Sequence, residues 1–182
     1  MVIKKYFNNS VILFDTKIFK DSRGSFSETY NINLFKRIGI KESFVQDNYS
    51  FTKNKGTIRG MHLQKKPFAQ SKIIRVLSGK ILDIIIDVRK KSPTYGKSKS
   101  FTLSNKNKYQ LYVPEGFAHG FCTQENNTEV VYKASRYYSP KHEQTILWSD
   151  NFLNLKWKIK HSKVIVNKKD SMGISFNKFG KI

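Results

Sequence analysis

The sequence predicts an all-β fold, either an antiparallel sandwich or a barrel, with a few short helices. Segments rich in β-branched residues, such as residues 80–88, recur at short spacing along the chain. Turn-forming sequences separate them, for example Ser92-Pro-Thr and Pro114-Glu-Gly. Many short strands with turns between them are typical of these two architectures.

Each element follows from its local sequence. Residues 31–38 have the pattern of a short helix, and residues 149–153 are a second candidate. The predicted strands span residues 72–77, 80–88, 100–103, 109–113, 129–135 and 145–148. Ser78 and Gly79 join the first two strands as a two-residue hairpin signal. Because no repeat or linker interrupts the chain, we expect one domain over residues 1–182.

The composition indicates a folded protein without a membrane anchor. Hydrophobic residues make up 38% and aromatic residues 14% of the 182 positions, which suits a packed core and excludes intrinsic disorder. No stretch approaches the roughly 20 apolar residues of a membrane helix. Asn8 and Asp15 break the N-terminal apolar run, so we expect no signal peptide. A single cysteine, Cys122, excludes an intrachain disulfide, and we expect a reduced, cytoplasmic protein.

The net charge of +21 is the strongest compositional bias. It comes from 34 basic against 13 acidic residues, and the basic residues are mostly lysines scattered along the whole chain. A nucleic-acid binder more often clusters its charge on one element and contacts bases with arginine. We therefore expect no nucleic acid as a partner. A small anionic ligand, such as a nucleotide or a nucleotide sugar, fits this charge better.

Asp83 is a charged residue inside a strand that is apolar on both faces and therefore central. A buried aspartate has to be paired or hydrogen-bonded. If Ser78 and Gly79 form the hairpin turn, Lys72 lies diagonally next to Asp83 on the same face. The sequence predicts a buried Lys72–Asp83 ion pair, either as a structural salt bridge or as part of a site.

Two segments place a histidine among glycines in strand-like sequence. In the first, Gly56-Thr-Ile-Arg59-Gly60-Met-His62-Leu-Gln64, strict alternation puts Arg59 and His62 on opposite faces, unless a bulge at Gly60 shifts the phase. In the second, Pro114-Glu-Gly-Phe-Ala-His119-Gly-Phe, a rigid turn delivers His119 onto a new strand. Together they suggest the two histidine-bearing segments of a cupin, a jelly-roll β-barrel that binds ligands inside.

The same segments argue against a metal ion. A metal cupin usually supplies His-x-His and a carboxylate from its first motif, whereas Gln64 stands here in the second histidine position. His119 alone would bind a metal weakly. The chain also has no flavin motif and no GxGxxG, so redox chemistry has no visible carrier. We expect no metal, no cofactor and chemistry limited to proton transfer.

Ordered matches to one family run from about residue 12 to about residue 170. The stretches that carry them are Phe19-Lys-Asp-Ser-Arg23-Gly-Ser-Phe-Ser-Glu28, Gln46-Asp-Asn48-Tyr-Ser50, Arg59-Gly-Met-His62-Leu-Gln64, Gln70-Ser-Lys72, Asp83-Ile-Ile-Ile-Asp87-Val-Arg89, Ser92-Pro-Thr-Tyr-Gly96, Val113-Pro-Glu-Gly-Phe-Ala-His119-Gly-Phe121, Tyr132-Lys133, Tyr138-Ser-Pro, Glu143 and Ile146-Leu-Trp-Ser-Asp150. On these motifs the chain resembles the dTDP-4-dehydrorhamnose 3,5-epimerase family of cupin-fold enzymes. The resemblance implies an epimerase that inverts C3, C5 or both in a nucleotide-linked 4-keto-6-deoxy sugar, for surface-polysaccharide precursors.

The resemblance also implies the catalytic residues. A ketone at C4 acidifies the hydrogens on C3 and C5, so inversion needs a base, a stabiliser of the enolate oxygen and a proton donor on the opposite face. By resemblance His62 is the base, Asp170 fixes its tautomer and Tyr132 donates the proton. Lys72 would place positive charge near the enolate oxygen. A histidine suits the base because imidazole titrates near pH 6.5 and is mostly neutral at physiological pH.

The remaining matched polar residues are expected to hold the substrate. Arg23, Arg59 and Lys169 suit the pyrophosphate, since a guanidinium can bind it with two hydrogen bonds. The other substrate-binding candidates are Glu28, Gln46 and Asn48 for the base and sugar, and His119, Glu143 and Asp83 within the site.

A homodimer is a further implication of the resemblance. An N-terminal strand of one chain would join the sheet of the other, because Val11–Phe14 would otherwise form an exposed apolar edge. Alternatively, these residues complete the sheet of their own chain.

Departures from the family pattern leave the substrate open. Leu63 stands where the family commonly has tyrosine, Tyr49 where it often has histidine, and residues 171–182 replace a proline-bearing tail. The substrate could carry dTDP or GDP, and the sugar could be a hexose or a heptose. The alternative functions are a C3-only epimerase of the same family and a non-catalytic sugar-binding cupin.

Overall fold

The structure is a computed structural model that describes residues 2–179, so Met1 and residues 180–182 of the tail lie outside the described residues. The strands are β1 (Ile3–Tyr6), β2 (Val11–Phe14), β3 (Phe19–Asp21), β4 (Gly24–Phe26), β5 (Gln46–Thr52), β6 (Ile58–Gln64), β7 (Lys72–Ser78), β8 (Lys80–Asp87), β9 (Ser98–Ser104), β10 (Gln110–Val113), β11 (Phe117–Thr123), β12 (Thr128–Ala134) and β13 (Glu143–Thr145). The helices are α1 (Ile32–Ile38), α2 (Lys168–Ser171) and α3 (Phe176–Phe179), with 3₁₀ turns at Pro140–His142 and His161–Lys163.

Two antiparallel sheets make up the barrel. The six-stranded sheet has the order β1-β2-β10-β7-β12-β5, and the five-stranded sheet has the order β13-β6-β11-β8-β9. Strands β3 and β4 form a separate hairpin. The all-β prediction with few short helices is confirmed. No helix among residues 2–179 has the length and apolar character needed to cross a membrane.

The core lies in three layers. Between the sheets, inward residues of β8 such as Ile81 and Ile85 pack against residues of the six-stranded sheet such as Ile74. On the outer face of the five-stranded sheet, Ile84 and other β8 residues meet the C-terminal segment, which contributes Trp148, Trp157 and Phe176. The outer face of the six-stranded sheet is covered at one end by α1. Strand β8 is therefore buried on both faces, as its sequence predicts.

Helix α1 forms where its sequence predicts. Asn31 caps it by accepting hydrogen bonds from the backbone N–H groups of Asn33 and Leu34. Gly39 ends it with φ 105°, in the left-handed region that favours glycine. The second candidate helix, residues 149–153, is instead a series of turns. The Asp150 carboxylate stabilises this loop by accepting N–H bonds from Leu153 (2.9 Å) and Phe176 (2.8 Å).

The predicted hairpin at Ser78 and Gly79 is wrong. Strand β7 belongs to the six-stranded sheet and β8 to the five-stranded sheet, so the chain crosses between the sheets at this point. Gly79 has φ 78°, and a Cβ there would lie 2.5 Å from the Oγ1 atom of Thr128. A two-residue connection between sheets has the same local sequence pattern as a hairpin, because both require a residue with positive φ.

The reason given for N-terminal strand exchange is also wrong. Strand β2 lies between β1 and β10 of its own chain, so Val11–Phe14 is fully buried and is not an edge. The alternative, in which these residues complete their own sheet, is what the chain shows. Strands β1 and β5 form the edges of the six-stranded sheet.

A buried carboxylate at the end of β8 fixes the loop that follows it. Asp87 is fully buried and accepts hydrogen bonds from the Arg89 guanidinium (2.7 and 2.8 Å), Ser92 (2.6 Å) and Thr94 (2.5 Å). Burial opposes ionisation, but these hydrogen bonds outweigh it and lower the pKa of Asp87 to about 2.

We predict that Asp87→Ala lowers the free energy of unfolding by about 2 kcal/mol at neutral pH, because it removes a fully buried carboxylate that accepts charge-assisted hydrogen bonds from the partly exposed Arg89 and from Ser92 and Thr94. Urea unfolding measures the effect. Since the pKa of the folded state is depressed, the stabilisation is present above about pH 4 and is lost as the pH falls toward 2. The exposed neighbour Lys90 supplies the control, because Lys90→Ala should cost less than about 0.5 kcal/mol. An equal loss in both variants, or a loss that persists at pH 2, would contradict this role.

Candidate active site

Strands β6 and β11 bring the two predicted histidine segments together. His62 pairs directly with His119 across the antiparallel ladder, and the register shifts between His119 and Phe121. At this bulge the backbones are so close that a Cβ on Gly60 would lie 2.5 Å from the Cα of Gly120. Arg59 and His62 consequently line the same cavity. Strict alternation therefore fails here, and the alternative of a phase shift at Gly60 is what the ladder shows.

The cavity has two lobes, of about 410 Å³ and 350 Å³, which share His62, Lys72 and Tyr132. The first lobe is further lined by Tyr49, Ser50, Phe51, Arg59, His119, Phe121, Asn167 and Asp170, and the second by Gln46, Asn48, Leu63, Gln64, Gln70, Tyr138 and Glu143. Most of the predicted site residues therefore meet in one cleft inside the barrel. Its size suits a small polar ligand.

His62 is held by Asp170. Its Nε2 atom lies 2.7 Å from one carboxylate oxygen, and the other oxygen accepts the backbone N–H of Gly60 at 3.0 Å. Burial disfavours the charged carboxylate, but the hydrogen bond and charge of His62, the Gly60 N–H and Lys169 together lower the pKa of Asp170. The ionised carboxylate accepts the Nε2–H of His62, which leaves Nδ1 with its lone pair. The dyad is thus built as a general base.

Lys72 and Tyr132 stand on the opposite sheet. They lie on β7 and β12, whereas His62 lies on β6 of the other sheet. The Lys72 ammonium is 5.9 Å from the centre of the Tyr132 ring. Burial lowers the pKa of Lys72 to about 8 against the opposing effects of Glu143 and Asp83, and burial raises the pKa of the Tyr132 phenol. The cavity therefore presents a base on one wall and a protonated phenol with an ammonium on the other.

Asp83 is not at the cavity surface. It is fully buried on β8, and its Oδ2 atom lies 2.8 Å from Nε2 of His119. The predicted ion pair with Lys72 is wrong: among residues 2–179, Lys72 forms no ion pair and Asp83 pairs with His119. The error follows from the hairpin, because β7 and β8 lie in different sheets. Asp83 therefore reaches the cavity only through His119.

A polar cluster forms one rim of the second lobe. The Oε2 atom of Glu143 accepts hydrogen bonds from the Lys169 ammonium and from the Tyr138 hydroxyl, the latter at 2.6 Å. Gln46 accepts the backbone N–H of Tyr138 (3.0 Å) and donates to Asn48 (2.8 Å). Tyr138 was not among the predicted site residues, although it belongs to a matched motif. A tyrosine before Ser-Pro in a loop gives no sign in one sequence that it faces a cavity.

Arg23 and Glu28, both predicted to bind the substrate, lie away from this cleft. Arg23 lies in the β3–β4 hairpin with 88% of its side chain exposed, and it pairs with Asp21 at 2.6 Å. Glu28 follows the same hairpin and is exposed. Neither residue lines a lobe of the cavity. Within residues 2–179, no three His, Cys, Asp or Glu side chains are grouped so as to hold a metal ion.

A double-sheet barrel with a histidine–aspartate dyad on one wall and a phenol and an ammonium on the other defines this chain as a cupin-type protein with a site suited to proton transfer. Comparison with known proteins identifies the family. The chain belongs to the dTDP-4-dehydrorhamnose 3,5-epimerase family, whose family model matches residues 8–178. The resemblance drawn from the sequence motifs is confirmed.

Individual relatives agree over nearly the whole chain. The dTDP-4-dehydrorhamnose 3,5-epimerase of Shigella flexneri is 44% identical over 167 residues, which is 91% of each protein. The crystal structure of the Bacillus anthracis enzyme of that name, with TDP and PPi bound, has 43% identity and a TM-score of 0.93, and the match covers 97% of this chain and 99% of that one. A Legionella pneumophila dTDP-6-deoxy-D-glucose-3,5-epimerase in complex with dTDP-4-keto-L-rhamnose has 34% identity and a TM-score of 0.91, with 97% and 93% covered.

We predict that Asp170→Asn removes the base without removing His62. The amide oxygen of the new side chain has to accept the Gly60 N–H, so its NH₂ group faces Nε2 of His62 and forces the proton onto Nδ1. A wrong tautomer of this kind costs about 10⁴-fold in rate. Steady-state epimerase assays measure the loss, and circular dichroism checks the fold. Ser171→Ala, which removes only an exposed hydroxyl that donates to the Lys168 carbonyl at 2.9 Å on the same short helix, is the control and should lose far less. A correctly folded Asp170→Asn variant within tenfold of wild type would contradict the assignment.

Proposed function

We propose that this protein inverts both C3 and C5 of a dTDP-linked 4-keto-6-deoxyhexose, in the synthesis of a surface-polysaccharide precursor. The observation that carries the proposal is the placement of the His62–Asp170 dyad and Tyr132 on facing walls of one cavity. Two opposed faces are what an inversion requires, because the proton leaves on one side of the carbon and returns on the other. The dTDP ligands named for the related structures support the nucleotide.

The reaction starts at His62. Its Nδ1 atom takes the proton from the carbon next to the ketone, and the C–H electron pair becomes the enolate with its negative charge on the C4 oxygen. Lys72 stabilises that oxygen, since a buried ammonium is worth more in a low-dielectric cavity than in water. Tyr132 then protonates the carbon from the other face. Solvent then takes the proton from His62 and returns one to Tyr132, after which the same sequence serves the second carbon.

The substrate is held by the remaining polar residues of the cleft. Arg59 and Lys169 provide positive charge for the diphosphate, and the Lys169 ammonium is already held in place by Glu143. Gln46 and Asn48, joined by a hydrogen bond, face the second lobe and can contact the nucleoside or sugar hydroxyls. The proposed reaction uses no metal and no cofactor.

We also propose that the protein acts as a homodimer through the outer face of its six-stranded sheet. This face exposes Tyr49 by 61%, Phe51 by 49% and Leu77 by 38%. The guanidinium of Arg75 on this face has no ion-pair or hydrogen-bond partner within residues 2–179, and burial lowers its pKa. An apolar face with a desolvated arginine fits a second copy of the chain.

The same dimer would account for Arg23 and Glu28. Their hairpin exposes Phe19 by 49% and Phe26 by 66% and lies beside the uncovered sheet face. A hairpin of this kind has no core of its own to bury its aromatic rings. In a dimer it can reach the partner's cleft, where Arg23 and Glu28 would complete the nucleotide site.

Exchange with solvent deuterium tests the reaction. In D₂O, wild-type protein should incorporate deuterium at C3 and C5 of a dTDP-linked 4-keto-6-deoxyhexose, and His62→Asn should abolish incorporation at both carbons. In Tyr132→Phe, exchange should continue while formation of inverted product falls by about 10²–10⁴-fold. Tyr137→Phe, whose ring lies outside both lobes, is the matched control. NMR locates the label.

Each other outcome selects another function. Label at C3 alone would replace the proposal by the C3-only epimerase. Binding without exchange would indicate a non-catalytic sugar-binding cupin. Equal loss of exchange and inversion in Tyr132→Phe would make Tyr132 a substrate-positioning group. Faster exchange with a GDP-linked sugar in a panel of substrates would overturn the dTDP assignment.

Hybrid dimers test the shared site. Purified hybrids of one His62→Asn chain and one Arg23→Ala chain should regain about half of the wild-type rate, because one of the two clefts then has both residues. Each homodimeric variant stays impaired. If Arg23 acts within its own chain, the hybrid recovers nothing. A monomeric mass by light scattering at micromolar concentration would exclude the dimer altogether.

A further inference from the structure

The barrel contains two histidine–aspartate pairs, and only one of them is accounted for by the base. His62 and His119 face each other across the β6–β11 ladder, and each uses Nε2 to contact a carboxylate, at 2.7 Å to Asp170 and at 2.8 Å to Asp83. In each ring, Nδ1 therefore remains available to contact a ligand in the cavity that both histidines line. The two pairs have the same composition and nearly the same geometry.

The surroundings of the two carboxylates differ. Asp170 accepts a second hydrogen bond from the Gly60 N–H, whereas the Oδ1 atom of Asp83 is buried without a hydrogen-bond partner. Besides His119, the charged group that acts on Asp83 is Lys72 on β7, which is also influenced by the charge of Glu143 on β13. An ionised carboxylate with an unsatisfied buried oxygen is costly. Burial accordingly raises the pKa of Asp83, more than His119 and Lys72 lower it, while the pKa of Asp170 is lowered.

The protonation state of each carboxylate determines which ring nitrogen of its histidine carries a proton. If Asp83 keeps its proton, it donates to Nε2 of His119, and the neutral ring carries its own proton on Nδ1. If that proton shifts along the hydrogen bond, His119 becomes an imidazolium and Nδ1 is still protonated. Both forms present an N–H to the cavity. The ionised Asp170 produces the opposite tautomer in His62, with the lone pair on Nδ1.

We propose that Asp83 is a positioning residue that keeps Nδ1 of His119 protonated, so that His119 donates a hydrogen bond to the C4 oxygen of the substrate. The inference rests on the proposed epimerase reaction and extends it. When His62 takes the proton from C3 or C5, the C–H electron pair forms the enolate and the charge on the C4 oxygen grows. His119 and Lys72 stabilise that oxygen together, and the His119 proton stays on nitrogen throughout. One dyad thus accepts a proton and the other donates a hydrogen bond, because their two buried carboxylates accept different numbers of hydrogen bonds.

Imidazole ¹⁵N NMR on the wild-type protein tests the tautomers directly. The chain has only four histidines, and His142→Gln and His161→Gln identify the two outside the cleft. At and above neutral pH, without substrate, Nδ1 should be protonated in His119 and unprotonated in His62. An unprotonated Nδ1 in His119 would overturn the inference. Because no substrate is present, this result is independent of whether the proposed reaction is correct.

Matched substitutions test the consequence for catalysis. An asparagine in place of Asp83 can donate its NH₂ to Nε2 of His119 and direct its oxygen toward Lys72, so Nδ1 of His119 stays protonated. We expect Asp83→Asn to lose no more than about tenfold in kcat, while Asp83→Leu, which offers no hydrogen bond, loses about 10²–10³-fold, as for removal of one oxyanion donor. The same change at the other dyad, Asp170→Asn, should be far more damaging. The expected ratio between these two asparagine variants exceeds about 10²-fold, given the cost of a wrong tautomer.

Two further readouts separate positioning from structural damage. In Asp83→Asn the ¹⁵N signal of His119 should still show a protonated Nδ1, and KM should change less than kcat in Asp83→Leu. If Asp83→Asn is folded but as inactive as Asp83→Leu, the negative charge is required and the inference is wrong. If Asp83→Leu does not fold, the spectrum of the wild-type protein and the comparison of the two asparagine variants still decide.

Discussion

The site depends on the two hydrogen bonds that the Asp170 carboxylate accepts. One oxygen holds His62 and the other binds the Gly60 N–H, so a single buried charge fixes both the tautomer of the base and the strand that carries it. Asp170 is 108 residues away from His62 in sequence, within the C-terminal segment. That segment is attached by Trp157 and Phe176, which pack on the outer face of the five-stranded sheet. Packing on the outside of the barrel thereby sets the chemistry inside it, because the base is complete only when the C-terminal segment is docked.

In the proposed reaction, the two sheets supply different groups. The five-stranded sheet carries both histidines, and the six-stranded sheet carries Lys72 and Tyr132. An inversion needs groups on both sides of one carbon, and a barrel wall on each side provides this without a moving part. The close approach of Gly60 and Gly120 adds the remaining constraint, since only at a bulge can Arg59 and His62 face the same interior.

The sequence was sufficient for elements that are determined locally. Alternation and β-branched residues predict the strands, the pattern of residues 31–38 predicts α1, and the two histidine segments predict which strands carry the site. It was insufficient wherever the answer depends on which strand lies alongside. The dipeptide Ser78-Gly79 is compatible both with a hairpin turn and with a crossing between sheets. Which of the two forms determines which residue lies next to Asp83. Likewise, nothing in the local sequence indicates that β1 pairs with β2 along its edge. Nothing in the local sequence indicates that Tyr138 lies on the cavity rim.

The crossing at Gly79 also determines how the chain can fold. Strands that follow each other, β7 and β8, do not pair, and most of their actual partners come from far along the sequence: β7 pairs with β10 and β12, and β8 with β9 and β11. Most of the barrel must therefore close large loops before any ladder contributes stability, and that entropy cost precedes the gain. Proteins with such non-local pairing fold on the scale of milliseconds to seconds, far more slowly than helical bundles of similar stability. Until the last segment docks, apolar strands such as β8 are exposed, and a chain with a net charge of +21 is kept apart from its copies by repulsion during that interval.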